Sequence, residues 1–265
     1  MALTFGRIIE QLTAGIHTLE RTVDKLEPGS LETDVQGIVT AFSASQYVIE
    51  QAIALGANLI ITHEGVFFSH QDNQEWLQRD PVYKQKVELI ASSSGMGIYR
   101  FHDYLHRYTP DGIMKGLLRE LEWEKYVTQH QPHVSILTIP AMGVREVADY
   151  LKRQLQIPYV RVAGKLSTLC CRVGILVGYR GSGTTVIPLF EQESLDLIIV
   201  GEGPEWETPE YIKDAVHQGR NKALIMLGHA ESEAPGMRYL ADLLSEQFPK
   251  LPIHFVKDEP VYQIV

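Results

Sequence analysis

Ile9, Leu12, Ile16, Leu19, Val23 and Leu26 recur at alternating steps of three and four, which predicts an opening helix with one apolar stripe, ending near Pro28-Gly29. Gln36–Phe42 then reads as a strand. Ser45 is placed to cap a helix with Val48, Ile49, Ile53 and Leu55 on its apolar face, and Gly56 stops it. The apolar run from Asn58 to Thr62 completes a βαβ unit. Asp80-Pro81 opens the next helix in the order cap then proline, Gly95 closes it, and the strand from Met96 to Phe101 follows. Asp111 begins a helix running to about Trp123.

Gln129–His133 is polar and holds a proline, and marks the predicted hinge between two lobes. A second alternating series follows it. Val134–Ile139, Tyr159–Ala163, Arg172–Val177, Leu195–Val200 and Ala223–Gly228 read as strands, and Val144–Leu155, Pro209–His217 and Gly236–Phe248 as helices. Gly178–Gly183 is a glycine-rich turn, and Ile253–Val256 a last strand. Strands alternating with helices predict a two-lobed α/β protein, each lobe a mixed or largely parallel sheet flanked by helices. The boundaries expected are 1–128 plus 230–265 for a discontinuous first lobe and 129–229 for the second.

Three of these strands run directly into histidine. They lead to His63-Glu64, to His102 with His106 four residues on, and to His229 with Glu233 four residues on. The carboxyl ends of parallel strands face one crevice, so side chains distant in sequence can meet there. Imidazoles and carboxylates without thiolates form a ligand set for divalent cations such as Zn, Mn, Fe or Co. The i,i+4 spacings put each pair on one side of a helical turn, and Gly65 lets the chain turn so that His63 and Glu64 can both serve. His17, His70, His130, His133, His217 and His254 lack that placement and are read as ordinary core or surface residues.

At 265 residues the chain has length enough for one large or two modest α/β lobes. Its formal charge of -9 excludes a general nucleic-acid surface, which needs a dense field of Lys and Arg. Glu191, Glu193, Asp196, Glu202, Glu205, Glu207 and Glu210 read as a solvated acidic face. Cys170 and Cys171 are adjacent, where a mutual bond would be strained, and read as reduced core thiols of a cytosolic protein. No run reaches the ~18 apolar residues of a membrane span, and the charged N-terminal pattern is not that of a signal peptide. The expectation is a soluble, cytoplasmic protein.

The residues also carry a family resemblance. Ile60-Ile61-Thr62-His63-Glu64-Gly65-Val66-Phe67-Phe68 is similar to the I-T-H-H-P-L-F-F motif of the Nif-three-like family of dinuclear-metal proteins, often labelled GTP cyclohydrolase 1 type 2 homologs. Ile98-Tyr99 with His102-Asp103-Tyr104-Leu105-His106 resembles its Y-x-x-H-T-N-L-D stretch, and Gly228-His229-Ala230-Glu231-Ser232-Glu233 its closing G-H-x-x-S-E. Val173–Gly183 resembles its glycine-rich strand-turn segment, and Val200-Gly201-Glu202 its T-G-[DE]. The likeness runs in order from about Gly37 to Leu244.

That resemblance implies a two-lobed subunit with two divalent metal ions in a cleft between the lobes, assembled as a homohexamer. Its ligands carry over to His63, Glu64, His106, His229 and Glu233, with His102 behind them or as an extra ligand. Glu64 stands where a second histidine is usual and His106 where an aspartate is usual, so the swap keeps the ligand types.

Two such ions make hydrolysis the first expected reaction class, with a nucleotide, a phosphoester or a cyclic amide as substrate. Glu231 or Asp103 is the candidate base, and Arg100 and Arg107 the candidate receivers of a substrate phosphate or carboxylate, set against a plain surface or capping role for the two acids and a solvated charge as the default for the two arginines. The alternative is a non-enzymatic metal-binding assembly or regulator. A third reading makes Gly178–Gly183 a phosphate cradle, although it lacks the lysine and spacing of a P-loop.

Overall fold

Ile38–Ala41 and Leu59–Thr62 show no alternation of apolar and polar residues, as befits strands covered on both faces. In a computed structural model of the chain, which describes residues 3–71 and 73–265, both are buried at every position. The chain divides into two units. The first comprises residues up to Gly112 and Met237–Glu259, and the second Ile113–Gly236 and Pro260–Val265. Each holds one mixed sheet with helices against it.

The first unit contains α1 (Phe5–Thr13), β1 (Lys25–Leu26), β2 (Ile38–Ala41), α2 (Gln46–Ala54), β3 (Leu59–Thr62), α3 (Pro81–Ser92) and β4 (Gly97–Arg100). Its sheet order is β1-β4-β3-β2-β11, where β11 is Ile253–Phe255. β11, β2, β3 and β4 run parallel, and β1 closes one edge antiparallel to β4. Ser45 and Asp80 cap α2 and α3 as their sequence positions predict, accepting from the N–H groups of Val48 and Tyr83. Val48, Ile49 and Ala52 of α2 and Ile90 of α3 pack on Val39, Ile60 and Ile98 of the sheet. Ile53 and Leu55, expected on that apolar face, are exposed instead. On β4, Gly97 is required because a Cβ there would run into the Phe5 ring of α1.

The opening helix is shorter than its periodicity predicts. It stops at Thr13, and Gly15 follows with φ +77°. Residues 16–24 are non-helical and lead into β1, because their polar groups are taken by the turn after β4: Val23 N–H donates to Asp103, and Leu19 N–H to the Tyr104 hydroxyl. Tertiary hydrogen bonds here override a local stripe.

The second unit contains α4 (Gly112–Glu120, from Ile113 on), β5 (Val127–His130), β6 (Ser135–Gly143), α5 (Val144–Leu155), β7 (Arg161–Ala163) and β8 (Leu169–Leu176). It continues with α6 (Gly183–Gln192), β9 (Leu197–Val200), α7 (Thr208–His217) and β10 (Ala223–Met226). The first eight residues of α8 (His229–Gln247) also belong to it. Sheet order is β5-β6-β8-β9-β10-β7, with β8, β9 and β10 parallel and the other pairings antiparallel. Val186 and Phe190 of α6 and Ile212 of α7 pack on Ile198, Val200 and Leu224. The polar stretch at Gln129–His133 is the end of β5 and the turn into β6, inside this unit.

Two helices differ from the sequence reading. α6 has no counterpart in it, because Thr184, Thr185 and Val186 are β-branched and Pro188 sits in the helix interior. α8 begins at His229 rather than Gly236, with Pro235 inside it. Gly236 serves there as a contact surface: a Cβ on it would lie 2.6 Å from the Ile113 Cα of α4.

The cysteines also separate. Neighbours on β8 face opposite sides, so Cys170 is buried and Cys171 exposed, both as free thiols. Burial pushes the Cys170 thiol up to about 11. The acidic run is no uniform solvated face either. Asp196 accepts the N–H groups of Cys171 and Arg172, Glu207 accepts that of Gly183, and Glu205 pairs with Arg161. Among the described residues no helix is long and apolar enough to cross a membrane.

Candidate metal centre

β3 and β4 are parallel neighbours with Thr62 opposite Arg100, so the residues after them leave the sheet side by side at its carboxyl edge. His63 is fully buried there. The chain bends at once, with the N–H of Glu64 bonded to Phe42 O at 2.8 Å, which allows both neighbours to contribute. After β4, His106 N–H bonds to His102 O at 3.2 Å, and Leu105–Arg107 form a 3-10 turn.

These turns bring three imidazoles together. Ring centroids lie 4.4 Å apart for His63 and His102, 4.9 Å for His63 and His106, and 5.0 Å for His102 and His106. One nitrogen from each falls within 4.8 Å of the others. Nδ1 of each ring meets an oxygen. His102 Nδ1 lies 2.9 Å from Asp103 Oδ1, His106 Nδ1 lies 2.8 Å from Asp111 Oδ2, and His63 Nδ1 lies 3.4 Å from Phe101 O. An oxygen acceptor on Nδ1 holds the proton there and leaves Nε2 as an electron-pair donor, the orientation used by metal-binding histidines.

Glu64 stands beside this group, with Oε1 3.7 Å from His102 Nε2. Its other oxygen receives Arg100 Nη2 at 2.8 Å. Burial pushes the Glu64 carboxyl up, yet Arg100 together with His102, His63 and His70 holds it below the usual range. Arg100 is 2% exposed and also donates to the carbonyls of His63 and His70. It is therefore built into the site, contrary to its expected part as a receiver of substrate anions. Arg107 is exposed.

His70, set aside in the sequence reading, belongs to this neighbourhood: its Nδ1 is 3.2 Å from Glu64 Oε2. Glu64, His70 and His102 meet the spacing of a metal-binding group. Arg100 Nη2, however, lies 2.8 Å from the Glu64 oxygen and 2.9 Å from His70 Nδ1, so a fixed cation already occupies the space between those two. Among the groups in this unit, His63, His102 and His106 suit a cation best.

In the second unit, Gly228 (φ +114°) turns the chain from β10 into α8. His229 and Glu233 share one face of its first turn, with Nε2 3.2 Å from Glu233 Oε2. His229 Nδ1 is held by Glu202 Oε2 at 3.0 Å. His229 thus has an oxygen on Nδ1, as His63, His102 and His106 do. Ser232 seats the helix start, accepting the N–H of Gly178 at 2.9 Å and donating to His229 O. Gly178 must be glycine, since a Cβ would clash with the Glu233 carboxylate. The same turn is no phosphate cradle: Gly178, Gly181 and Gly183 give their N–H groups to Ser232, Glu202 O and the Glu207 carboxylate.

A family model described as Duf34/NIF3 (NGG1p interacting factor 3) matches residues 23–260. The chain belongs to the Duf34/NIF3 family. It is similar to a protein named GTP cyclohydrolase 1 type 2 homolog from Clostridium acetobutylicum, 24% identical over 235 residues, covering 85% of this chain and 82% of that protein. A protein of the same name from Escherichia coli K12 is 26% identical over 225 residues, covering 80% of each. In structure the chain resembles a Bacillus cereus protein related to NIF3, with TM-score 0.76 at 15% identity, covering 100% of this chain and 99% of the other. That likeness shows the Duf34/NIF3 fold.

Asp111, Glu202 and His70 are site residues that sequence reasoning did not assign, and Arg100 is one to which it gave a different part. Asp111 reads as a helix start and Glu202 as part of a Duf34/NIF3-like tripeptide, and only the fold shows the imidazole each one holds.

The crowding of imidazoles has a pH consequence. Burial, then the neighbouring His63 and His106, pushes His102 down from 6.5 to about 3. Between those values the unfolded chain binds a proton that the folded chain refuses, so stability falls as pH falls through that window. Glu64 acts in the same sense, its contribution being lost as pH falls through its lowered value. Asp24, raised by burial, opposes them over a range beginning at 3.8. Urea melts of metal-free protein should show stability declining from pH 6.5 downward, by up to about 1.4 kcal/mol per pH unit from His102 alone. A flat profile would contradict the crowded, neutral arrangement.

Proposed function

We propose that the protein binds two divalent metal ions and is a metal-dependent hydrolase acting on a nucleotide, a phosphoester or a cyclic amide. One observation carries this reading: His63, His102, His106 and His229 each have Nδ1 against an oxygen, which leaves Nε2 to coordinate. In this proposal His63, Glu64, His102 and His106 of the first unit and His229 and Glu233 of the second are the ligands. Nitrogen and carboxylate donors of this kind fit Zn, Mn, Fe or Co. Divalent ions so held supply Lewis acidity toward a substrate oxygen and make water more acidic, which favours hydrolysis. The relatives' shared name, GTP cyclohydrolase 1 type 2 homolog, supports including nucleotides among the substrates.

Of the two candidate bases, Asp103 has both oxygens engaged, by His102 Nδ1 and by Val23 N–H, which suits it to orienting the imidazole. Glu231 lies on the first turn of α8 with its carboxylate folded back against Gly228, the residue before His229, and we assign it the proton-accepting role. Assays of phosphoesters, nucleotides and cyclic amides with each metal should reveal turnover that falls by about 10²–10⁴ in Glu231→Gln while bound metal is unchanged. Retained metal with no turnover on any substrate class would refute the hydrolase and leave a metal-binding role.

A further inference from the structure

We infer that Asp24 is a positioning residue that sets the backbone of the loop carrying His102 and His106. Its Oδ1 accepts the N–H groups of His102 at 2.9 Å and Asp103 at 2.7 Å, and its Oδ2 accepts that of Tyr104 at 3.1 Å. Three successive amides thus point at one carboxylate. The clasp is reciprocal. Val23 N–H donates to Asp103 Oδ2 at 3.0 Å, the other oxygen of Asp103 holds His102 Nδ1, and Leu19 N–H donates to the Tyr104 hydroxyl at 3.2 Å. Immediately after Asp24, Lys25 and Leu26 pair with Arg100 and Tyr99 of β4. The strap from Leu19 to Leu26 therefore fixes this turn on both sides.

Asp24, His102 and Asp103 also satisfy the spacing of a metal-binding group. The electrostatics reject that use, because converging N–H dipoles make a concavity for an anion and would repel a cation. Asp24 is the anion they hold. Burial raises its carboxyl and the three amides offset part of that cost. A half-buried carboxylate spent on backbone amides, at the turn that presents His102 and His106, is explained by a need for fixed ligand geometry. Useful constellations are held to within about 0.5 Å.

This assignment rests on the reading of His63, His102 and His106 as metal ligands, and the test separates the two. Chelator-stripped parent protein, Asp24→Asn, Asp24→Ala and His63→Ala are titrated with Co2+, and affinity and the d–d absorption bands are recorded alongside circular dichroism. Asp24→Ala should bind Co2+ at least about tenfold more weakly, with shifted bands. Asp24→Asn should fall between, because its amide oxygen can still take two of the three N–H groups. If the alanine variant fails to fold, the asparagine variant carries the test. Folded Asp24 variants with parental affinity and bands, while His63→Ala loses Co2+, would overturn the positioning assignment alone. Parent protein that takes up no Co2+, or His63→Ala that binds like the parent, would overturn the metal reading and this inference with it.

Discussion

His63→Ala is expected to lower the affinity of the first unit for a divalent metal by about 100-fold or more, at least the upper end of what loss of a supporting residue costs. Its ring is fully buried, touches both other imidazoles of the group, and has Nδ1 directed at a backbone carbonyl. Nothing at the end of β3 can replace its donor atom without moving the strand. The expected effect on folding is smaller. The ring is crowded against two others, one of which, His102, burial keeps neutral, so removing it relieves some unfavourable packing of polar groups while leaving a cavity. Isothermal titration with Mn2+ or Co2+ checks the first claim, and urea melts in chelator the second. This combination, large loss of metal with modest loss of stability, separates a ligand from a core residue.

The second large effect is on stability. Arg100→Met should destabilise the protein by about 3 kcal/mol or more, the range for removing one partner of a buried ion pair. Arg100 is 2% exposed, and its guanidinium serves Glu64 at 2.8 Å, His70 O at 2.7 Å and His63 O at 3.4 Å. Methionine fills similar volume but leaves the Glu64 carboxylate buried without its arginine, and its pKa should rise. Glu64→Gln added to Arg100→Met should then recover part of the loss, since the uncompensated charge is gone. Arg100→Lys should fall short of the parent, because an ammonium cannot reproduce the planar fork that meets several acceptors. Chemical denaturation of these four proteins and of Glu64→Gln alone, at pH 7, checks all three statements. Full additivity of the two substitutions would contradict the pairing.

The exchange of residue types at positions 64 and 106 now has a structural companion. A carboxylate at 64 is matched by Arg100, and an imidazole at 106 by Asp111. Asp103 and Glu202 do for His102 and His229 what Asp111 does for His106. The shared feature is an oxygen behind each ring rather than any one ligand identity.

Much of this was legible in the chain. His63, His102 and His106 announce themselves because each follows an apolar strand, and parallel neighbours in a sheet must deliver such residues to one edge. Ser45, Asp80 and Gly95 mark helix ends through local hydrogen bonding and backbone conformation, which sequence records directly. Asp24 was hidden for the opposite reason. It lies within an apolar stripe of helical period, and what breaks the helix is a set of bonds to residues about eighty positions away. Arg100 reads as a solvent-seeking cation until the fold buries it. α6 was missed because β-branched residues and a proline argue locally against a helix that the sheet surface stabilises. Local signals survive translation from sequence to structure, and long-range polar contacts do not.

The central claim, that these imidazoles coordinate metal through Nε2, is tested most directly by anomalous diffraction from crystals of the purified protein grown with Mn2+ or Zn2+. An anomalous peak is expected within about 2.0–2.2 Å of Nε2 on His63 and at least one of His102 and His106. Bound metal found only at other residues, or these three rings refined with no anomalous scatterer among them at saturating metal, would contradict it.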